Sequence, residues 1–138
     1  MVSAPDADLA RRVRVLGLRQ RVEACSWRVH TACFALPADR PRHGEVRRRL
    51  LLLTGWARDG AELDRLRAAA AELAWVYRQC CDVLHGRRAF TDLPEPVVVS
   101  WEHTVDTGER VVAEVLARPA AAPTCSPRRR HHPPRRRR

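Results

Sequence analysis

DGAELDRLRAAAAELAWVYRQCCDVLHG, residues Asp59–Gly86, is the stretch that decides the fold of this chain. Leu63, Leu66, Ala70, Leu73, Tyr77, Cys80 and Leu84 recur at spacings of three and four. That spacing puts them in one stripe on a helix, with the alternation of a coiled-coil-like seam. Asp59 can cap the start by accepting a hydrogen bond from a free backbone amide, and Glu62 can reach back to complete a capping box. Gly86 supplies the left-handed residue that often ends a helix. Ala68 to Ala71 add intrinsic helix propensity. Asp64 with Arg67, and Arg78 with Asp82, are spaced to keep the outer face solvated. A seam of this kind needs a partner, which the rest of the chain is expected to supply.

Upstream, a long helical pattern runs from Ala4 to Leu36, with Leu18, Val22, Cys25, Val29, Ala32 and Leu36 in its stripe. Leu9, Val13 and Leu16 are out of phase with that stripe, and Gly17 stands at the junction. Unbroken, this helix would be about 50 Å long, against a radius of gyration near ~13 Å for a compact domain of this size. It therefore either bends at Gly17 or projects and pairs with a second copy. Pro37 ends it, and residues 37–44 read as a loop. Glu45 to Ala57 reads as a shorter helix with Val46, Leu50, Leu53 and Trp56 inward.

After Gly86 the period changes. Val97, Val99, Trp101, His103 and Val105 alternate with Val98, Ser100, Glu102 and Thr104, a period of two rich in β-branched residues. This predicts a strand. Asp106-Thr107-Gly108 reads as a tight turn and Glu109 to Leu116 as a returning strand. The rival reading is a short helix, because Val111, Val112, Val115 and Leu116 also fit helical spacing. The expected architecture is thus mainly α: a three-helix up-down-up bundle with a small C-terminal β-hairpin. Residues 1–117 would form this domain. Residues 118–138, reduced to Pro, Ala, Arg and His with little else, would form a disordered basic tail.

The net charge is +10 over 138 residues. Arg128, Arg129, Arg130, Arg135, Arg136, Arg137 and Arg138 supply seven of these charges, which leaves +3 for the rest. The chain has no Lys, Asn or Ile. All three use AT-rich codons, so the composition points to a high-GC genome, bacterial or viral, in which Arg replaces Lys. The Arg run is either a polyanion-binding element acting through counterion release or a product of codon bias. Five cysteines, an odd number, do not suggest a disulfide framework. No apolar run is long enough to span a bilayer. The expected setting is cytoplasmic, or host cytosol or nucleus for a viral chain, with no membrane association.

Two ligand pairs stand out, His30 with Cys33 and Cys81 with His85. Their positions in an up-down-up bundle would keep them too far apart for zinc. Glu102, His103 and Asp106 are close in sequence, but in a strand Glu102 and His103 point to opposite faces. No nucleophile elbow, phosphate loop or dinucleotide fingerprint is present, so neither catalysis nor a cofactor is expected. Trp27 and Trp75 fall nearly opposite their helices' seams, and Phe34 extends the Trp27 face. Trp27, Phe34 and Trp75 are the candidate surface for a protein partner or a homo-oligomer, unless the hairpin covers them. Arg14, Arg21 and Arg28, seven apart, with Arg11 nearby, form a row that can face phosphates or flank a seam with salt bridges. The expected function is a non-enzymatic interaction or accessory protein. Its alternatives are sequence-nonspecific nucleic-acid binding through the tail and the first-helix arginines, and a zinc-binding or cysteine-dependent protein.

Overall fold

The structure, a computed structural model, describes residues 4–34, 45–87 and 93–118. The loop expected at residues 37–44, Leu36, and the tail arginines from Arg128 to Arg138 lie outside the described residues. Among the described residues, four α-helices form the fold: α1 (Ala4–Phe34), α2 (Val46–Leu51), α3 (Gly60–Leu84) and α4 (Glu95–Leu116). A 3₁₀ turn, Leu52–Trp56, continues α2.

α3 begins and ends as its sequence dictates. The Asp59 carboxylate accepts from the Glu62 amide at 2.8 Å. Glu62 reaches back one residue further than a capping box requires, accepting from the Arg58 amide at 2.8 Å. At the other end Gly86 has φ 71°. Its amide donates to the Val83 carbonyl and that of Arg87 to the Asp82 carbonyl, the paired bonds that close a helix around a left-handed glycine. The buried face is wider than the predicted seam. Leu66, Ala70, Leu73 and Cys80 are buried as expected, and Ala69, Val76 and Val83 join them. This follows from α3 packing on α1, α2 and α4 at once.

The expected hairpin is not formed. Residues 95–116 make one helix, with Pro96 in its first turn and Glu95 beside it. Both residues favour a helix N-terminus. The buried stripe is Val98, Trp101, Val105, Gly108, Val112 and Val115, spaced three and four apart. Gly108, read from sequence as the turn residue, is a rung of this stripe. It lacks a side chain because α3 passes too close to admit one. No strand is present among the described residues.

The helix directions also differ from up-down-up. Arg14 pairs with Glu95 and Glu102, and Arg21 with Asp106 and Glu109, so α1 and α4 run parallel. Arg65 pairs with Glu114 at one end of α3 and Trp75 meets Trp101 towards the other, so α3 runs against both. Val46 and Arg47 border the same groove as Tyr77, Cys81 and His85, while the 3₁₀ turn leads directly into Gly60. α2 therefore also runs against α3, parallel to α1. The prediction assumed a short connection that reverses the chain between α1 and α2. The chain between them, residues 35–44, lies outside the described residues.

The core is aliphatic, with Val15, Leu18, Val22 and Val29 of α1 meeting Leu50, Leu53, Leu66, Leu73 and Val76. Trp101, 2% exposed, is the largest side chain within it. Among the described residues, no helix is long and apolar enough to cross a membrane.

Candidate interaction surfaces

The α1 arginine row meets carboxylates. Arg14 grips both oxygens of Glu102 at 2.8 Å and also pairs with Glu95. Arg21 donates to Glu109 at 2.7 and 3.2 Å and to Asp106 at 2.6 Å. Both rungs repeat every seven residues on both helices, so parallel packing of α1 on α4 keeps them in register. The hydrogen bond from Arg14 holds the Glu102 carboxyl below its ordinary value, and that from Arg21 does the same for Asp106. On the helix Glu102 and Asp106, four residues apart, share a face. Both are committed to arginines and stay ionised. Arg28, one heptad on, lines an open depression together with Asp106, Glu109, Arg110 and Ala113.

The candidate aromatics fall into two groups. Trp27 contacts His30 edge-on at 5.4 Å, and His30 contacts Phe34 at 4.8 Å. The Arg49 guanidinium from α2 lies over Trp27, 4.2 Å from the ring centre. Trp75 instead packs edge-on against Trp101 of α4 at 6.1 Å. Because α2 and α4 flank the α1–α3 pair, Trp27 with Phe34 and Trp75 belong to different sides of the molecule. Phe34 is 50% exposed and Trp75 47%. α4, which replaces the hairpin, does not cover Trp75.

A second set of apolar side chains joins the first group. Leu9, Val13 and Leu16 are exposed on α1, Leu9 and Val13 by more than three-fifths. At 100° per residue they fall with Trp27 and Phe34 inside a window of roughly 60°, centred opposite the buried stripe of Val15, Leu18, Val22 and Val29. α1 is therefore apolar on two faces. The sequence signal was the phase slip of Leu9, Val13 and Leu16 against the core stripe. The sequence offers a bend at Gly17 or a projecting helix; the structure runs α1 as one helix through Gly17, and the slip puts these side chains on a second face of it.

Arg49 had no sequence signal. Its side chain is buried, Nε donates to Ser26 Oγ at 3.1 Å, and Nη1 stands 3.7 Å from the Glu45 carboxylate. Its two terminal nitrogens make no hydrogen bond.

A groove of about 670 Å³ separates the start of α2 from the second half of α3. Arg47, Arg78, Arg87 and His85 border it, along with Tyr77 and Cys81, and among the described residues Asp82 is the carboxylate that lines it. Asp82 is paired with Arg87 at 3.2 Å.

The proposed ligand pairs do not meet. Cys81 lies at the level of Arg19, with which it interacts. His30 stands eleven residues further along α1, or about 16 Å at 1.5 Å per residue. Among the described residues, no group of three or more His, Cys, Asp or Glu is arranged to hold a metal. Burial pushes the Cys25 thiol up to about 11 and the Cys80 thiol up to about 12, so both stay protonated and unreactive. Arg118, placed in the tail by sequence, is held by Glu62 at 2.7 Å and Glu114 at 2.9 Å. The folded part thus reaches at least that residue.

Comparison with known proteins gives no matching family model, no matching curated protein and no matching solved structure.

Proposed function

We propose that this chain is a non-enzymatic interaction protein that docks a polypeptide on the outward face of α1. The carrying observation is the alignment of Leu9, Val13, Leu16, Trp27 and Phe34 opposite the core, with Leu9 62% and Val13 61% exposed. Exposed apolar side chains gathered on one helix face in this way mark interaction sites, and aromatic anchors at one end supply the side chains that dominate binding energy. Trp75 drops out of this surface because it belongs with Trp101 on the α4 flank. The Arg tail would add electrostatic affinity for a polyanion near the docked partner. A photo-reactive residue replacing Val13, activated in cells that make the protein, is expected to form a covalent adduct with a polypeptide. Absence of any adduct would remove this reading.

A second reading, polyanion binding, draws on the groove between α2 and α3. Among the described residues, three arginines and a histidine line it with one carboxylate, Asp82, whereas Arg14 and Arg21 are already occupied by acids of α4. Phosphates would engage Arg47 and Arg78 first, because Arg87 is shared with Asp82. Replacing Arg47 and Arg78 by Gln should weaken salt-sensitive DNA or RNA binding and reduce its salt slope by about two. An unchanged slope would sink this reading.

A further inference from the structure

We infer that the occupant of the outward α1 face is a second copy of this chain, docked antiparallel so that α1 packs on α1. This rests on the docking-face reading above and names its partner. The face has two unlike halves, aliphatic at Leu9, Val13 and Leu16 and aromatic at Trp27 and Phe34, with Gln20 and Glu23 between them. Leu9 and Leu16 are seven residues apart, and so are Trp27 and Phe34. An antiparallel copy therefore sets Leu9 on Phe34 and Leu16 on Trp27 in a single register, with the polar middle of each copy against that of the other. The two-fold axis makes every contact twice and closes the assembly at a dimer.

Orientation follows from the flanks. Ala10, Gly17 and Ala24 lie seven apart along one edge of the face, and a β-carbon on Gly17 would meet nothing within 4 Å inside its own chain. Antiparallel helices place like flanks together, so this small-residue edge meets itself and the backbones can close up. Parallel helices would instead set Arg12 and Arg19 of the opposite flank against it. They would also stack the arginine-rich first half of α1 on its own copy. In the antiparallel arrangement Arg12 comes alongside the aromatic half of the other copy, where a guanidinium is attracted to ring faces.

Sedimentation velocity over a concentration series, with the full chain, tests this. The expected species has twice the 15.7 kDa mass of the chain. Val13→Glu should weaken the dimer at least tenfold, about 1.4 kcal/mol, with circular dichroism unchanged and the thermal midpoint unchanged at low concentration, where the monomer dominates, because that side chain is exposed. A photo-reactive residue at Leu9 should cross-link to the peptide of the other copy that contains Phe34. A cross-link to the other copy's Leu9 peptide would overturn the antiparallel arrangement. A chain that stays monomeric overturns self-association altogether. If that monomer still forms an adduct at Val13 with a different polypeptide, the docking face stands and only its occupant changes.

Discussion

Gly108 lies so close to Leu73 that a β-carbon built on it would stand 2.6 Å from the leucine Cγ and Cδ2 and 2.8 Å from Cδ1. Leu73 is fully buried and has no open space to turn into. Gly108 therefore lets α4 approach α3 closely at this level. Gly108→Ala would gain up to ~1 kcal/mol of helix propensity and lose about 1–3 kcal/mol to overpacking. The expected net effect is destabilisation by about 1–2 kcal/mol, read from urea midpoints. In the Leu73→Ala background the same change should cost less, since the clash is gone. A penalty that is the same in both backgrounds would break the link between the two residues.

That contact also explains why α4 was the one element not legible in sequence. α1, α2 with its 3₁₀ turn, and α3 could be read because their buried rungs are apolar side chains and their ends carry Asp59, Gly60 and Gly86. In α4 the fourth rung is a glycine, so the stripe from Val98 to Val115 is interrupted where Asp106-Thr107-Gly108 imitates a turn. Val97 and Val99 then completed a false alternation with Trp101, His103 and Val105. β-branched preference is a surface-fit tendency, and packing against α1 and α3 outweighs it here. For the surface, the phase slip of Leu9, Val13 and Leu16 is visible, but its meaning depends on α1 continuing as one helix through Gly17. Nothing in sequence separated Trp75 from Trp27, because that separation comes from where α2 and α4 sit.

Acid should loosen the molecule within a defined window. Hydrogen bonds from Arg58 and then Arg118 hold the Glu62 carboxyl down to about 2. Arg65 lowers Glu114, and Arg14 lowers Glu102. A folded-state value below the unfolded one, near ~4.3 for Glu, stabilises fully above the unfolded value and is lost as pH falls through the folded one. Urea midpoints should stay level from neutral pH to about 5 and fall between about 4 and 2. Glu102→Gln should lower stability at neutral pH by no more than about 1 kcal/mol, as for partly exposed pairs, and match the parent at pH near 2. A difference that persists in acid would assign another cause.

Arg49 is buried with its terminal nitrogens unbonded, so Ser26, the Glu45 carboxylate and the Trp27 ring offset only part of the cost of burying its charge. Ser26 already donates to the Glu23 carbonyl at 2.7 Å, and Glu45 is nearly half exposed. Removing the guanidinium strands neither of them. Arg49→Met keeps most of the volume over Trp27 and should be neutral or stabilising by about 1–2 kcal/mol, as when buried ions are replaced by apolar groups of similar size. A loss of more than about 1 kcal/mol would mean the cation holds α2 on α1 in a way its hydrogen bonds do not show.

The Trp75–Trp101 pair should be unequal. Trp101→Ala empties a fully packed site and should cost about 3–5 kcal/mol. Trp75→Ala removes a half-exposed ring and one edge-on contact and should cost about 1 kcal/mol. Thermal melts of both variants check this. Equal costs would place Trp75 in the core instead of on its rim.

Gly17 makes the opposite case to Gly108, although both interrupt long helices. α1 continues through it, no left-handed φ requires it, and its β-carbon direction is open. Gly17→Ala should therefore recover the helix propensity that glycine forfeits, about 0.5–1 kcal/mol. In a folded unit of this size that is a rise of a few degrees in Tm. The measurement belongs at low protein concentration, where the monomer dominates. At high concentration the same methyl groups enter the small-residue edge of the inferred α1–α1 contact, near Ala24 of the other copy, and the rise should be smaller. A Tm increment that does not depend on concentration would show that this edge stays in water in the assembled protein.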